Sequence, residues 1–426
     1  MKQKNYKKIF FWWFILIICI CYGYSFFVLM SIFKQDTDVK IYFDYATKIL
    51  GGEIPYKDFS VVYPPFSLLV FVLPAFFTKN LSFYNFLFEL EMVMVFAILI
   101  YVIYLLSQKL KIDYKLSISI LYILFSAIFL NYYIIKRYDI FVALLTILSI
   151  YLLFERKYWL SSFVFVCGIL AKLYPIILSP LYFIYILKKD GLKKSINFSV
   201  SSFLFLLIIL LPFFIIAPPT KAQFYSFQYH FTRPLHCESL YGSILLFLEK
   251  TNIQIFKTNL KNDIYGWTIY TPLSPVLLLL SALLILTILG FLTLNFWKKK
   301  NISEKVFLNF TFVFLLVFIV FNRVLSPQYL LWLLPLFAFV LNFKELNIMF
   351  LITILTFMVY PVFYYEHLIQ KETWMVLVLL LRNLLLVFLF FKIIFNKKLF
   401  ALPGPKIVDK KIPEPGAQNR KKIGKI

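Results

Sequence analysis

Pro272-Leu-Ser-Pro-Val-Leu-Leu-Leu-Leu-Ser-Ala-Leu-Leu-Ile-Leu-Thr-Ile-Leu-Gly-Phe-Leu-Thr-Leu-Asn-Phe296 contains no Asp, Glu, Lys or Arg and runs straight into Trp297-Lys298-Lys299-Lys300. As a helix it rises about 37 Å at 1.5 Å per residue, enough to cross a hydrocarbon core of about 30 Å. It offers water no polar face, which a helix of a soluble fold needs. Similar runs recur along the 426 residues. The chain is 62% hydrophobic and 21% aromatic, only 15% charged, with a mean hydropathy of +0.84. Soluble domains hold about 45–50% apolar and about 25% charged residues. The sequence reads as an all-α polytopic membrane protein.

The lysines after Phe296 point to the orientation, because short cytoplasmic loops carry an excess of Lys and Arg. Comparable clusters are Lys2, Lys4, Lys7 and Lys8; Lys109, Lys111 and Lys115; Arg156-Lys157; Lys188-Lys189 with Lys193-Lys194; and the tail from Lys397. Placing all of them inside predicts about twelve spans: 10–33, 82–106, 116–135, 139–154, 158–172, 174–188, 195–216, 272–296, 305–322, 328–343, 347–363 and 374–394. Both termini are then cytoplasmic. The N-terminal run resembles a signal peptide but has no small-residue cleavage site, so it is read as an uncleaved span. The apolar stretch 62–78 would invert every later loop if it crossed. It is short, begins Tyr63-Pro64-Pro65 and carries Pro74, and is therefore expected as an interfacial or re-entrant segment on the outer face.

These spans make one transmembrane domain, 1–398, with outer segments at 34–81, 136–139, 217–271 and 322–328. Residues 399–426 read as a basic, disordered cytoplasmic tail near anionic lipid. The net charge of +24 does not suggest a nucleic-acid partner, since the basic residues sit in loops between spans and in this tail. Cys19, Cys21, Cys167 and Cys237 show no metal spacing and imply no disulfide framework.

The chemistry-bearing residues gather in the outer segments. Asp36-Thr-Asp38 follows the first span, and residues 38–50 suit an amphipathic helix with Ile41, Tyr42, Tyr45, Ile49 and Leu50 on one face. A carboxylate there can take a proton from a sugar or lipid hydroxyl; equally, Asp36 or Asp38 can cap the helix. Asp-x-Asp can also hold a divalent cation, so one is possible without being demanded. Lys136-Arg137-Tyr138-Asp139 reads as a charged turn. Lys172, in Ala-Lys172-Leu-Tyr174-Pro175, either snorkels to the interface or pairs with an anion. The long loop carries His230, Arg233, His236 and Glu238, in a spacing that fits no zinc motif; an Arg233–Glu238 ion pair is the simpler reading. Asn322, Arg323 and Gln328 add an Arg and two amides, and Arg forks suit phosphate.

Taken in order, these pieces resemble glycosyltransferase family 87. They are Asp38-x-x-x-Tyr42-x-x-x-Ala46, Gly52-x-x-Pro55-Tyr56, Tyr63-Pro64-Pro65, Arg137-Tyr138-Asp139 and Lys172-Leu-Tyr174-Pro175. Arg233-Pro-Leu-x-x-Glu238-Ser239 and Val324-Leu-Ser326-Pro327-Gln328-Tyr329-Leu-Leu-Trp332-x-x-Pro335 follow. The resemblance covers about 36–340. It implies a GT-C-type architecture and a hexosyltransferase that uses a polyprenyl-phosphate sugar, mostly mannose, on a glycolipid or glycan acceptor. It further implies a catalytic base on the first outer loop, which matches Asp38, and a donor phosphate held by Arg233, Lys172 and Arg323. Asp36, Tyr63, Asp139, His230, Glu238 and Gln328 complete the expected substrate-binding set. The competing class, a transporter or lipid flippase, calls for ionisable residues deep in the spans and inverted repeats.

Overall fold

The computed structural model describes residues 37–216, 221–251, 258–263 and 266–396. The expected first span, Asp36, Cys19, Cys21 and the basic tail lie outside the described residues.

Six described helices are long and apolar enough to cross a membrane. They belong to a mostly helical chain, as expected. In chain order the elements begin with α1 (Thr37–Leu50), α2 (Ser67–Ala75), α3 (Leu81–Leu110), α4 (Asp113–Phe129), α5 (Asn131–Lys136), α6 (Asp139–Phe154) and α7 (Tyr158–Ala171). A 3-10 turn, Tyr174–Leu178, leads into α8 (Ser179–Asp190) and α9 (Leu192–Ile216). Helix α2 has nine residues, about 14 Å at the α-helical rise, and is too short to cross. This fits the non-crossing reading of 62–78.

Proline accounts for several departures from simple spans, since it removes a donor and crowds the preceding turn. Pro175 and Pro180 divide the expected 174–188 span into the 3-10 turn and α8. Pro327 and Pro335 divide 328–343 into a chain of short turns, Pro327–Val340. The 116–135 span instead breaks at Leu130, between α4 and α5.

The long loop between α9 and the helix at Ser274–Lys298 holds a small sheet that the apolar pattern of the sequence does not predict. Its elements are α10 (Lys221–Thr232), β1 (Leu235–His236), α11 (Leu240–Lys250), β2 (Asn259–Asp263) and β3 (Gly266–Tyr270). The strands are antiparallel in the order β1-β3-β2, pairing Leu235 with Ile269 and Asn259 with Tyr270. Strands this short, in a chain dominated by apolar runs, leave no alternation to detect. Helices α12 (Ser274–Lys298), α13 (Glu304–Phe321), α14 (Phe343–Phe357) and α15 (Thr373–Asn396) complete the fold.

Burial separates these helices. In α13, 72% of the most apolar window is inside the protein, against 6% in α9 and 11% in α12. Helix α13 is therefore central, and α9 and α12 lie at the periphery with most of their side chains outside the protein core. Helix α1 forms as expected, but its phase differs. Val39, Tyr42, Tyr45 and Ala46 are buried while Ile41 and Leu50 are exposed, since an apolar side chain need not face the protein core.

Candidate active site

The segment that carries α1 and α2 is fastened to the ends of α6 and α7 by ring packing and main-chain bonds. Tyr42 of α1 stacks on Phe71 of α2 with ring centroids 4.1 Å apart, and meets Tyr63 and Tyr138 edge-on at 5.5 and 5.9 Å. The Tyr56 hydroxyl donates to the Tyr63 carbonyl at 2.6 Å, and the Phe66 amide donates to the Leu170 carbonyl at 2.9 Å. Edge-to-face clusters of this kind fix geometry beyond the area they bury. The result sets Asp38, in the first turn of α1, against the break between α5 and α6.

That break is Arg137-Tyr138-Asp139. Arg137 is extended (φ −130°, ψ 142°), so the three successive side chains fan out to different partners. Arg137 Nε lies 2.9 Å from Asp38 Oδ2, and its Nη1 donates to the Lys136 carbonyl at 3.0 Å. Tyr138 joins the ring cluster. Asp139 is fully buried, and its Oδ1 accepts from Lys172 Nζ and from Trp332 Nε1, each at 2.7 Å.

Lys172 follows the last turn of α7 with an extended backbone. Of its two sequence readings, the structure has the ion pair, with Asp139. Its ammonium also faces the rings of Tyr138, Tyr329 and Trp332 at 5.3, 5.6 and 5.6 Å. Trp332 is itself sandwiched between Tyr174 at 3.9 Å and Tyr329 at 4.1 Å. The Lys172-Leu-Tyr174 and Gln328-Tyr329-Leu-Leu-Trp332 motifs thus converge on one buried carboxylate. A cation enclosed by a carboxylate and ring faces is held rigidly.

The long loop brings further cations to the same end. Arg323 Nη2 donates to the carbonyls of His230 and Phe231 at 2.7 and 2.9 Å, and the His236 amide donates to the Arg323 carbonyl at 3.0 Å. Arg323 so ties α10 and β1 to the segment after α13. Arg233 lies over the Tyr229 ring at 6.0 Å. Burial, then Arg233, Lys172 and Arg323, push the His230 imidazole down to about 4. Burial and the same Arg233, with Arg382, push His236 down to about 3. Both rings are neutral at physiological pH.

Glu238 is placed differently. Its Oε2 is 2.9 Å from Arg382 Nη1, Arg382 Nη2 donates to its carbonyl at 2.7 Å, and Asn383 donates to the carbonyls of Glu238 and Ser239 at 3.2 Å. Burial pushes the Glu238 carboxyl up to about 6, against the pull of Arg382. The next residues explain the local path: Ser239 caps α11 by accepting from the Gly242 amide at 3.0 Å. A Cβ at Gly242 would stand 2.6 Å from the carbonyls of His236 and Cys237, closer than contact permits.

Asp38, Tyr63, Asp139, Lys172, His230, Arg233 and Arg323 therefore form a chain of electrostatic neighbours: Lys172 is within reach of both aspartates and of His230, His230 is within reach of Arg233 and Arg323, and Tyr63 is within reach of Asp38. Gln328 is half-buried in the adjoining turn, and Asp36 is outside the described residues. Arg137, which the sequence reading left out of the site, is the partner of its central carboxylate. Among the described residues, two carboxylates, Asp38 and Asp139, stand against four cations, Arg137, Lys172, Arg233 and Arg323, an excess of positive charge that suits an anionic group. Among the described residues no three His, Cys, Asp or Glu side chains gather as a metal site, and His230, His236 and Glu238 form none. Asp38 pairs with Arg137.

The chain matches the family model for glycosyltransferase family 87 over residues 61–327. No curated protein matches it. The matched span starts before Tyr63-Pro64-Pro65 and ends at Pro327, taking in Asp139, Lys172, Arg233 and Arg323. This chain belongs to glycosyltransferase family 87 and is a membrane glycosyltransferase.

Proposed function

We propose that the enzyme transfers a hexose, mannose first among them, from a polyprenyl-phosphate-linked donor to a lipid- or glycan-linked acceptor. The reaction takes place on the extracytoplasmic face of the cell membrane. The observation that carries this reading is a half-exposed carboxylate, Asp38, beside a cluster with cations in excess, at one end of the helix array. A lipid-linked donor keeps its phosphate and sugar at headgroup depth, where such a cluster can meet them.

The chemistry is a displacement at the anomeric carbon. As the acceptor oxygen bonds to that carbon, Asp38 takes the hydroxyl proton. The bond from the carbon to the phosphate oxygen breaks, and its electron pair leaves on the lipid phosphate. Arg233, Lys172 and Arg323 stabilise the charge that develops there, which preorganised cations do at little reorganisation cost. Arg137 fixes the direction of the Asp38 carboxylate. One inversion at the carbon follows from one displacement.

Membranes holding the enzyme, given radiolabelled polyprenyl-phosphate mannose, should move label to a second lipid or glycan. Transfer only from a soluble nucleotide sugar would overturn the donor assignment. Sidedness has a separate test. In a background stripped of native cysteines, Lys57→Cys in the first outer segment and Lys193→Cys in the first turn of α9 should react with an impermeant maleimide from opposite sides. Reaction from one side would overturn the arrangement.

A further inference from the structure

A second charged recess lies at the ends of α7 and α9 away from Lys172. Arg156, Lys157, Trp159, Lys194, Asn197 and Ser201 line a cavity of about 520 Å³. Arg156 is anchored to Asp190 at 3.3 Å, whereas Lys157 and Lys194 have no ion pair among the described residues. The walls are held in register: Ser201 Oγ donates to Ser162 Oγ at 2.8 Å, and Phe198 packs on Tyr182 with centroids 5.6 Å apart. None of these residues belongs to the cluster around Asp38, and the inference below does not rest on the glycosyltransferase reading.

The surroundings say what would enter. Leu160 in the wall of the recess and Phe163, Val200, Phe203 and Leu204 farther along the same two helices are exposed, an apolar strip on helices of which α9 has only 6% of its most apolar window buried. Trp159 is 63% exposed beside it, and Trp is favoured where headgroups meet acyl chains. Cations above, an indole at the boundary and an apolar strip below match one molecule from end to end. A soluble anion would use only the first of the three. The lysines attract negative charge, and Asn197 and Ser201 carry groups that bond to phosphate or glycerol oxygens.

We propose that this recess binds the phosphodiester headgroup of an anionic phospholipid, in the leaflet opposite the candidate active site, with the acyl chains along α7 and α9. The test is native mass spectrometry of the full-length protein released from mixed phosphatidylglycerol and phosphatidylcholine nanodiscs. The wild type should retain phosphatidylglycerol in preference to phosphatidylcholine. Lys157→Gln with Lys194→Gln should cut that retention about 30-fold, roughly fivefold for each interfacial lysine. A control with the same charge loss, Lys298→Gln with Lys300→Gln, should retain the lipid as the wild type does. Thermal unfolding separates lipid from free phosphate: phosphatidylglycerol should raise the midpoint, and soluble glycerol phosphate should not. Equal retention by the double variant, equal loss in the control, equal binding of phosphatidylcholine or an equal response to glycerol phosphate would each overturn the proposal. Both lysines are exposed, so the variants should fold.

Discussion

Asp38→Asn should slow sugar transfer by about 10²–10⁴-fold, the range over which a positioned general base acts, while the protein still inserts and folds. The substitution is nearly isosteric. An Asn side-chain oxygen can still accept from Arg137, so the contact that joins α1 to the break before α6 survives. What is lost is the capacity to take a proton. The loss should appear in kcat, with the KM for the donor little changed, because Arg233, Lys172 and Arg323 are untouched. Asp36→Asn serves as the comparison, since the sequence alone left both aspartates open as the base. Full transfer by the Asp38→Asn enzyme, or collapse of the Asp36→Asn enzyme in its place, would remove Asp38 from the proposed role.

The helices were legible because each is a local pattern: an apolar run, a charge cluster, a proline. Even the short, proline-bearing stretch 62–78 could be read as non-crossing, and α2 has the length that reading requires. Function-bearing residues were legible by type and position. Their partners were not. Asp38 meets Arg137, Asp139 meets Lys172 and Trp332, and Glu238 meets Arg382, pairs far apart along the chain that no periodicity connects. The same limit explains the misjudged face of α1. A hydropathy pattern marks Ile41 and Leu50 as apolar but cannot tell whether they face the protein core. Arg382 and Glu238 show how this matters: read singly, one is a charge within a span and the other a loop carboxylate near the substrate.

Removing either partner of the Glu238–Arg382 pair should therefore cost stability before it costs chemistry. Arg382 is fully buried and Glu238 is 2% exposed. Arg382→Met leaves a carboxylate sealed from water without its counter-charge, a loss on the order of 3–5 kcal/mol for a buried pair broken on one side. Glu238→Gln strands the guanidinium in the same way. Thermal unfolding in detergent should show a much lower midpoint for each single variant. The double variant, Glu238→Gln with Arg382→Met, removes both charges and should recover most of the midpoint, since the desolvation penalty disappears along with the attraction. Its transfer rate per folded molecule decides the role of Glu238. A rate near that of the wild type makes the pair a fastening between the long loop and α15. A stable double variant that no longer transfers sugar would return the Glu238 carboxylate to the substrate.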